Sequence, residues 1–192
     1  MTAVRTESDA EVIERSLREP EAFAALYDQH APAVHRYLAR RLGPDLADDL
    51  MAETFLRAFQ RRARYDRARP DARPWLYGIA TNLVGGHRRA EVRFWRMIAR
   101  TGIDPAVDSP ADRIAERVSA QGERAALAAA LARLNRGQRD VLLLTAAGEL
   151  TPAEIAEALG VAPGTVHSRL NRARRRMRAA LDGRDPLTNA KD

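Results

Sequence analysis

A pair of helix signals separated by a very short turn limits the folds open to the C-terminal part of this chain. Thr151-Pro152-Ala153-Glu154 has the spacing of a capping box, with proline at the first helical position. Gly160 then supplies a left-handed C-cap, and Val161-Ala162-Pro163-Gly164 leads into a second helix that starts near Thr165. Two helices joined this tightly within roughly thirty residues predict a helix-turn-helix.

The second of these helices is strongly basic. Its apolar seam consists of Val166, Leu170 and Met177. From Thr165 onward, the first acidic residue is Asp182. An αα-hairpin with solvated arginines is the alternative, but the tight turn and the uncompensated charge favour insertion into a DNA groove flanked by phosphates. The predicted DNA contacts are Thr165, His167, Ser168, Arg169, Asn171, Arg172, Arg175 and Arg176. Ser168, Arg169, Asn171 and Arg172 are expected to matter most, whereas Arg174, Arg175 and Arg176 suit phosphates.

Composition and charge set the class of the whole chain. Alanine, arginine and leucine dominate while β-branched and aromatic residues are sparse, which predicts an all-α protein. A net charge of +6 raises the expectation of a polyanionic partner. Without cysteine, and with four histidines spread along the chain, a metal site is not expected. Neither a signal core nor a long apolar stretch occurs, so we expect a cytoplasmic location.

Helical periodicity also organises the N-terminal half. It predicts helices from about Asp9 to Arg18, from Phe23 to Leu42 with a kink or restart at Pro32, and from Asp45 to Arg62. Residues 64–73 are charged and aperiodic and predict a loop. A fourth helix is expected to start near Pro74 and to weaken or bend at Gly85-Gly86.

A change in composition then divides the chain into two small helical domains. From Thr101 to Asp112 the sequence contains glycine, prolines and aspartates with no basic residue, which is typical of an interdomain linker. The predicted organisation is an N-terminal domain at 9–100, a flexible acidic linker at 101–119, a C-terminal domain at 120–183 and a disordered tail at 184–192.

Two segments of the N-terminal domain carry candidate binding residues. Asp49 and Glu53 lie one helical turn apart beside Asp48, either as carboxylates that favour the helix dipole or as a docking surface for a basic partner. Aromatic and basic residues follow the predicted loop, and this mixture suits an unpaired nucleic-acid strand. These residues are Trp75, Tyr77, Asn82, His87, Arg88 and Arg89. A constellation for catalysis is not expected, because nothing nearby resembles a polarised substrate pocket.

In their order along the chain, these motifs resemble the extracytoplasmic-function group of sigma factors within the sigma-70 family. The resemblance covers about residues 20 to 182. It implies that the helix with Asp48, Asp49, Glu53 and Phe55 docks on the large catalytic subunits of core RNA polymerase. It also implies that the loop with Tyr65, Asp66, Arg67 and Arg73 captures a flipped non-template base, and that the helix after it contacts the minus-ten element. The helix-turn-helix would then read the minus-thirty-five element.

The resemblance defines the functional expectation for the whole chain. The protein would be a non-enzymatic, cofactor-free initiation factor that binds core polymerase and promoter DNA, both duplex and melted, without membrane insertion or a small-molecule substrate. The group implies an anti-sigma protein as a further partner. The nineteen residues from Thr101 to Ser119 could extend over roughly 60 to 70 Å, about the separation of two promoter elements some twenty base pairs apart. The alternatives are an independent helix-turn-helix regulator and a nucleic-acid-modifying enzyme with a helix-turn-helix appendage.

Overall fold

The fold is all-α, as predicted. The computed structural model describes residues 7–105, 117–148 and 150–181, with side chains from residue 121 in α6, and these ranges contain helices and no strand. In chain order the α-helices are α1 Asp9–Ser16, α2 Ala24–Leu42, α3 Pro44–Arg61, α4 Arg73–Gly86, α5 Arg88–Thr101, α6 Arg117–Arg133, α7 Arg136–Ala146, α8 Pro152–Leu159 and α9 Pro163–Ala180. Short 3-10 turns at Pro20–Phe23 and Arg62–Arg64 precede α2 and follow α3.

Local capping explains where several of these helices begin. Ser8 caps α1 in a reciprocal capping box with Glu11. Thr151 caps α8 in the same way, and its side chain accepts a hydrogen bond from the backbone N–H of Glu154. Asn135 caps α7 with its side-chain oxygen. Each cap satisfies an N–H group that has no partner inside its helix.

The N-terminal helices differ from the sequence prediction at two places. Helix α2 continues through Pro32 without the restart that the proline predicted. Gly85-Gly86 ends α4, and a separate helix, α5, begins at Arg88, where the sequence pattern predicted no new element. The loop predicted over residues 64–73 is irregular over residues 65–72, because Arg64 ends the 3-10 turn and Arg73 begins α4.

Most of the predicted linker and tail lies outside the described residues. Residues 106–116 and 182–192 are not described, so the expected flexible linker and disordered tail are not addressed there. Helix α6 begins at Arg117, inside the segment assigned to the linker. The bounds of the two domains therefore remain predictions.

The N-terminal domain, α1 to α5, and the C-terminal domain, α6 to α9, pack directly against each other. Helix α8 lies on α4, and α6 runs along α5. Apolar side chains of both domains belong to one continuous cluster, which includes Leu38 and Leu76 from the first domain and Leu144 and Ile155 from the second. This arrangement could not be predicted from the sequence, because amphipathic patterns do not specify which helix covers which.

Candidate nucleic-acid interface

The helix-turn-helix forms where the sequence predicted it. Gly160 adopts the left-handed conformation with φ 61° and ends α8. Helix α9 then begins at Pro163, and Val166, Leu170 and Met177 bury one side of it. This seam holds the helix on the C-terminal domain and leaves its opposite side facing outward.

The outward side of α9 carries the predicted base- and phosphate-contacting residues. His167, Asn171, Arg172, Arg175 and Arg176 are exposed, whereas Thr165, Ser168 and Arg169 are half-buried. The His167 ring lies 2.9 Å from the backbone oxygen of Pro163, and the Ser168 hydroxyl donates to the backbone oxygen of Thr165. The structure therefore brings all eight residues onto one helix with most of their charge facing solvent.

Helix α7 positions two of the α9 arginines. Arg176 donates to the side-chain oxygen of Gln138 at 2.9 Å. The Arg169 side chain lies over the backbone of Gly137, where a Cβ would come within 3.1 Å of its guanidinium carbon. Helix α7 therefore restricts the side chains of Arg169 and Arg176 on α9.

The loop between α3 and α4 is built around a buried tyrosine. Tyr65 is only 7% exposed, and its ring packs against Trp75 with the centroids 4.9 Å apart. Its hydroxyl donates to the carbonyl oxygens of the loop, with that of Arg69 at 2.8 Å and that of Asp71 at 3.1 Å. Burial, followed by the negative charges of Asp9 and Asp71, raises the pKa of Tyr65 to about 12, so the donor stays protonated.

The predicted strand-binding residues therefore divide into two sets. Tyr77 is buried in the core and meets Tyr37 edge-to-face, and Tyr65 shapes the loop from inside. Neither ring offers a stacking surface in this structure. On the surface lie Asp66, Arg67, Asn82, His87, Arg88 and Arg89, with Arg73 and Trp75 half-buried.

The predicted acidic docking residues share α3 with exposed apolar side chains. Asp48 and Asp49 are exposed, and Glu53 is half-buried and pairs with Arg57 at 2.6 Å. The spacing of Asp49, Glu53 and Leu56 places all three on one helix face, where Leu56 is 51% exposed.

Asp49, Glu53 and Leu56 form a stripe along α3. Beside this stripe, Phe55 is buried and packs edge-to-face against Tyr27, which is 40% exposed. Sequence reasoning missed Leu56 and Tyr27 as surface residues. For Leu56 the signal in the sequence was its helical spacing from Asp49 and Glu53, whereas Tyr27 lies on α2 and had no such signal.

The comparisons with known proteins identify the two domains. Residues 26–94 match the family model for sigma-70 region 2, and residues 124–177 match that for sigma-70 region 4. The ECF RNA polymerase sigma factor SigL of Mycobacterium tuberculosis is 38% identical over 159 residues, which span 82% of this chain and 87% of SigL. The chain belongs to the ECF sigma factors. It is therefore a member of the sigma-70 family, whose function is promoter-specific transcription initiation.

Solved structures agree with this family assignment. CnrH, solved in complex with the cytosolic domain of CnrY, superposes with a TM-score of 0.63 at 27% identity over 91% of this chain and 97% of that one. The sigma factor RpoE, solved with the anti-sigma factor NepR from Bartonella quintana, shares the fold with a TM-score of 0.59 at 23% identity over 84% of this chain and 98% of that one. The match to region 2 also argues against an independent helix-turn-helix regulator.

Within the described ranges, histidine and carboxylate side chains do not gather in groups of three that could hold a metal ion. Across the same part of the chain, no helix is both long and apolar enough to cross a bilayer.

Proposed function

We propose that this ECF sigma factor divides promoter recognition between its two domains, with α9 reading the minus-thirty-five element and the 65–73 loop with α4 holding the melted minus-ten strand. The observation that carries the proposal is the basic outer face of α9, which directly follows a capped helix and a tight turn. Such a face suits the major groove, where arginine reads guanine and neighbouring arginines neutralise phosphates. The protein would act in the cytoplasm, where RNA polymerase works, without catalytic activity of its own.

In the proposed minus-ten site, the exposed polar residues contact DNA and the buried aromatics shape the site. Arg67, Arg73, Arg88 and Arg89 would neutralise phosphates, while Asp66 and Asn82 offer hydrogen-bonding groups for bases. Tyr65 and Tyr77 would act by holding the loop and α4 in place. Trp75, half-buried beside Tyr65, is the aromatic ring best placed to meet an unstacked base.

The stripe of Asp49, Glu53 and Leu56 on α3 is the proposed docking surface for core polymerase. Asp48 and Tyr27 lie beside it, and the buried Phe55 supports Tyr27 from inside. Carboxylates around an exposed apolar side chain match the usual anatomy of a protein interface, which has an apolar centre and a polar rim. Asp49 has no ion-pair partner in the part of the chain that the structure describes, so its charge is available to a basic partner.

Anti-sigma binding is proposed from the solved relatives. CnrH was solved with the cytosolic domain of CnrY, and its fold extends over nearly all of this chain. A comparable partner for this protein would cover the DNA- or polymerase-binding faces. Co-purification of this chain with a candidate anti-sigma protein, followed by loss of transcription in its presence, would support that assignment.

Runoff transcription with purified core polymerase tests the central proposal. Transcripts from a cognate promoter should require the chain, and neither transcription nor core binding in its presence would refute the proposed function. The docking variant Asp49→Arg with Glu53→Arg should weaken core binding by at least tenfold, because it places two cations where a basic partner docks. Glu21→Arg, an exposed charge reversal outside the stripe, is the matched control and should bind core normally.

Recognition by α9 has its own test. Arg169→Ala with Arg172→Ala should weaken binding to a duplex minus-thirty-five element by roughly tenfold or more, since a bidentate base contact contributes about 1–3 kcal/mol. Arg178→Ala removes an exposed arginine from the last turn of the same helix and should have a smaller effect. Equal losses from both variants, measured by fluorescence anisotropy, would mean that α9 contributes charge alone.

A further inference from the structure

Helices α5 and α6 enclose a groove that the proposed DNA and polymerase sites do not use. Gly102 ends α5 in the left-handed conformation with φ 66°, and α6 packs along α5. Where the helices meet, a Cβ on Gly102 would lie 2.7 Å from the carbonyl oxygen of Gln121. The groove between the two helices has a volume of about 640 Å³, and small-molecule sites in proteins occupy about 300–1,000 Å³.

Four arginines form the rim of this α5–α6 groove. They are Arg93, Arg96 and Arg100 on α5 and Arg133 on α6, and all four are exposed. The three arginines of α5 lie on one face of the helix and span about 10 Å along its axis. In the part of the chain that the structure describes, none of the four guanidinium groups has a carboxylate within ion-pair distance.

This unpaired charge favours an anionic ligand. Arg96 and Arg100 are four residues apart, and like charges at this spacing destabilise a helix. An anion in the groove would relieve the repulsion and accept charge-assisted hydrogen bonds from the arginines, whose planar donor groups match the oxygens of phosphate. Because four cations converge on one groove, the complementary ligand carries several phosphate charges.

The rest of the groove lining is apolar. It consists of the half-buried side chains of Met97 on α5 and of Ala129 and Ala132 on α6. The small alanine side chains leave space between the helices, and a methionine thioether packs favourably against an aromatic ring. This lining suits a nucleobase, whereas the convex and polar backbone of a DNA duplex would reach only the arginines of the rim.

We propose that the α5–α6 groove binds a nucleoside polyphosphate, with the phosphate chain on the rim arginines and the base against Met97. The ligand would contact both helices, because Arg133, Ala129 and Ala132 all belong to α6. The site is separate from the promoter contacts proposed for α9 and for the 65–73 loop.

Isothermal titration calorimetry of the full-length chain tests the phosphate part of the site, with ATP, AMP and inorganic tripolyphosphate as probes. In about 0.15 M salt, which screens exposed charges, ATP should bind on the order of tenfold more tightly than AMP, because it offers two more phosphate groups to the arginines. Equal affinities for ATP and AMP would overturn the assignment of the rim to a phosphate chain.

Met97→Ala tests the base part of the site. Alanine keeps the helix and removes the thioether, so this variant should bind ATP several-fold more weakly and tripolyphosphate with parental affinity. The tripolyphosphate arm thereby distinguishes a nucleotide from a free phosphate chain. Parental affinity of Met97→Ala for ATP would overturn the assignment to a nucleoside.

Two double variants with the same spacing test the location of the site. Arg96→Ala with Arg100→Ala should weaken ATP binding by roughly tenfold or more, because it removes two of the four cations. The matched control is Arg36→Ala with Arg40→Ala, which removes two exposed arginines from α2 and should bind ATP as the parent does. Circular dichroism checks that both variants retain their helices. Equal losses in the two variants would mean general attraction to a basic chain and would overturn the site.

A random-sequence DNA duplex separates this site from DNA binding. In fluorescence anisotropy with a labelled duplex, Arg96→Ala with Arg100→Ala should bind with nearly parental affinity, and ATP should not displace the duplex from the parent. Displacement by ATP, or a loss of duplex affinity as large as the loss of ATP affinity, would assign the α5 arginines to DNA phosphates and overturn the proposal.

Discussion

At the residue scale, a buried carboxylate at the start of α1 holds the end of the 65–73 loop where it meets α4. Asp9 accepts hydrogen bonds from the backbone N–H of Ala72 and from the His30 ring, both at 2.8 Å. Burial raises the pKa of Asp9, but the bonds from His30 and Ala72 and the nearby charges outweigh it, so the pKa lies below its ordinary value. The ionised form therefore stabilises the fold.

Asp9→Asn should lower the free energy of unfolding by about 1–3 kcal/mol at neutral pH, because two buried donors lose a charged acceptor. Because the pKa of Asp9 is lowered in the folded state, its stabilisation is fully present above the ordinary aspartate pKa of about 4. The stabilisation is lost as the pH falls through the pKa of Asp9 in the folded protein. Urea titrations of both proteins at pH 7 and pH 3 should show the difference narrowing in acid. A constant difference would contradict this account.

The sequence predicted the exposure of the polar candidate residues better than that of the aromatic ones. Arg67, Arg88 and Asn82 were predicted to face a ligand, and they are exposed. Tyr65 and Tyr77 had the same expectation, yet both lie in the core. An aromatic ring can stack on a base or on another side chain, and only the surrounding helices decide between these environments.

At the element scale, the helix-turn-helix depends on a cap that the sequence predicted completely. The Thr151 hydroxyl accepts from the backbone N–H of Glu154, while the Glu154 carboxylate accepts from the N–H of Thr151 at 2.7 Å. These groups lie within one turn of each other, so no distant contact is needed to form them. The start of α8 and its C-cap at Gly160 were predictable for the same reason.

Thr151→Ala should destabilise α8 by about 0.5–2 kcal/mol, because it removes a side-chain acceptor from the first turn. Faster hydrogen exchange at the amides of α8 would measure this change. Thr151→Ser retains the hydroxyl and should exchange close to the parental rate. Equal acceleration in both variants would mean that the threonine methyl group, not the cap, stabilises the helix.

Helix α5 shows where prediction of elements failed. Gly85-Gly86 was expected to weaken one long helix, but it separates two helices. The second helix buries Phe94, Trp95 and Ile98 against the rest of the fold. A glycine pair predicts that a helix is weak at that point. Whether the helix bends there or ends, so that a second helix begins, depends on tertiary packing.

At the scale of the whole molecule, a buried ionic cluster of Arg41, Glu91, Arg139 and Asp140 makes folding and domain contact interdependent. Glu91 is shared by Arg41 of its own domain and Arg139 of the other. Burial alone lowers the pKa of Arg41, but Tyr37, Glu91 and Asp140 raise it above its ordinary value. The guanidinium therefore stays charged in the interior and depends on its acceptors.

Glu91→Gln should destabilise the protein by about 3–5 kcal/mol, because it leaves the buried Arg139 without its carboxylate partner and leaves Arg41 with Asp140 alone. Glu53→Gln makes the same chemical change at an ion pair on the surface of α3 and should cost less than about 1 kcal/mol. Urea denaturation of the two variants measures the contrast. Similar midpoints would mean that water already reaches the cluster.

The sequence by itself determined the helical class, the capped helix-turn-helix, the basic face of α9 and the order of motifs that points to a sigma factor. These features depend on side chains within a turn or two of one another, so local pattern is sufficient. Only the tertiary structure decided that α8 lies on α4 and that Arg41 pairs with Asp140, 99 residues away. Such contacts follow from shape and charge complementarity between folded helices, which no local pattern contains.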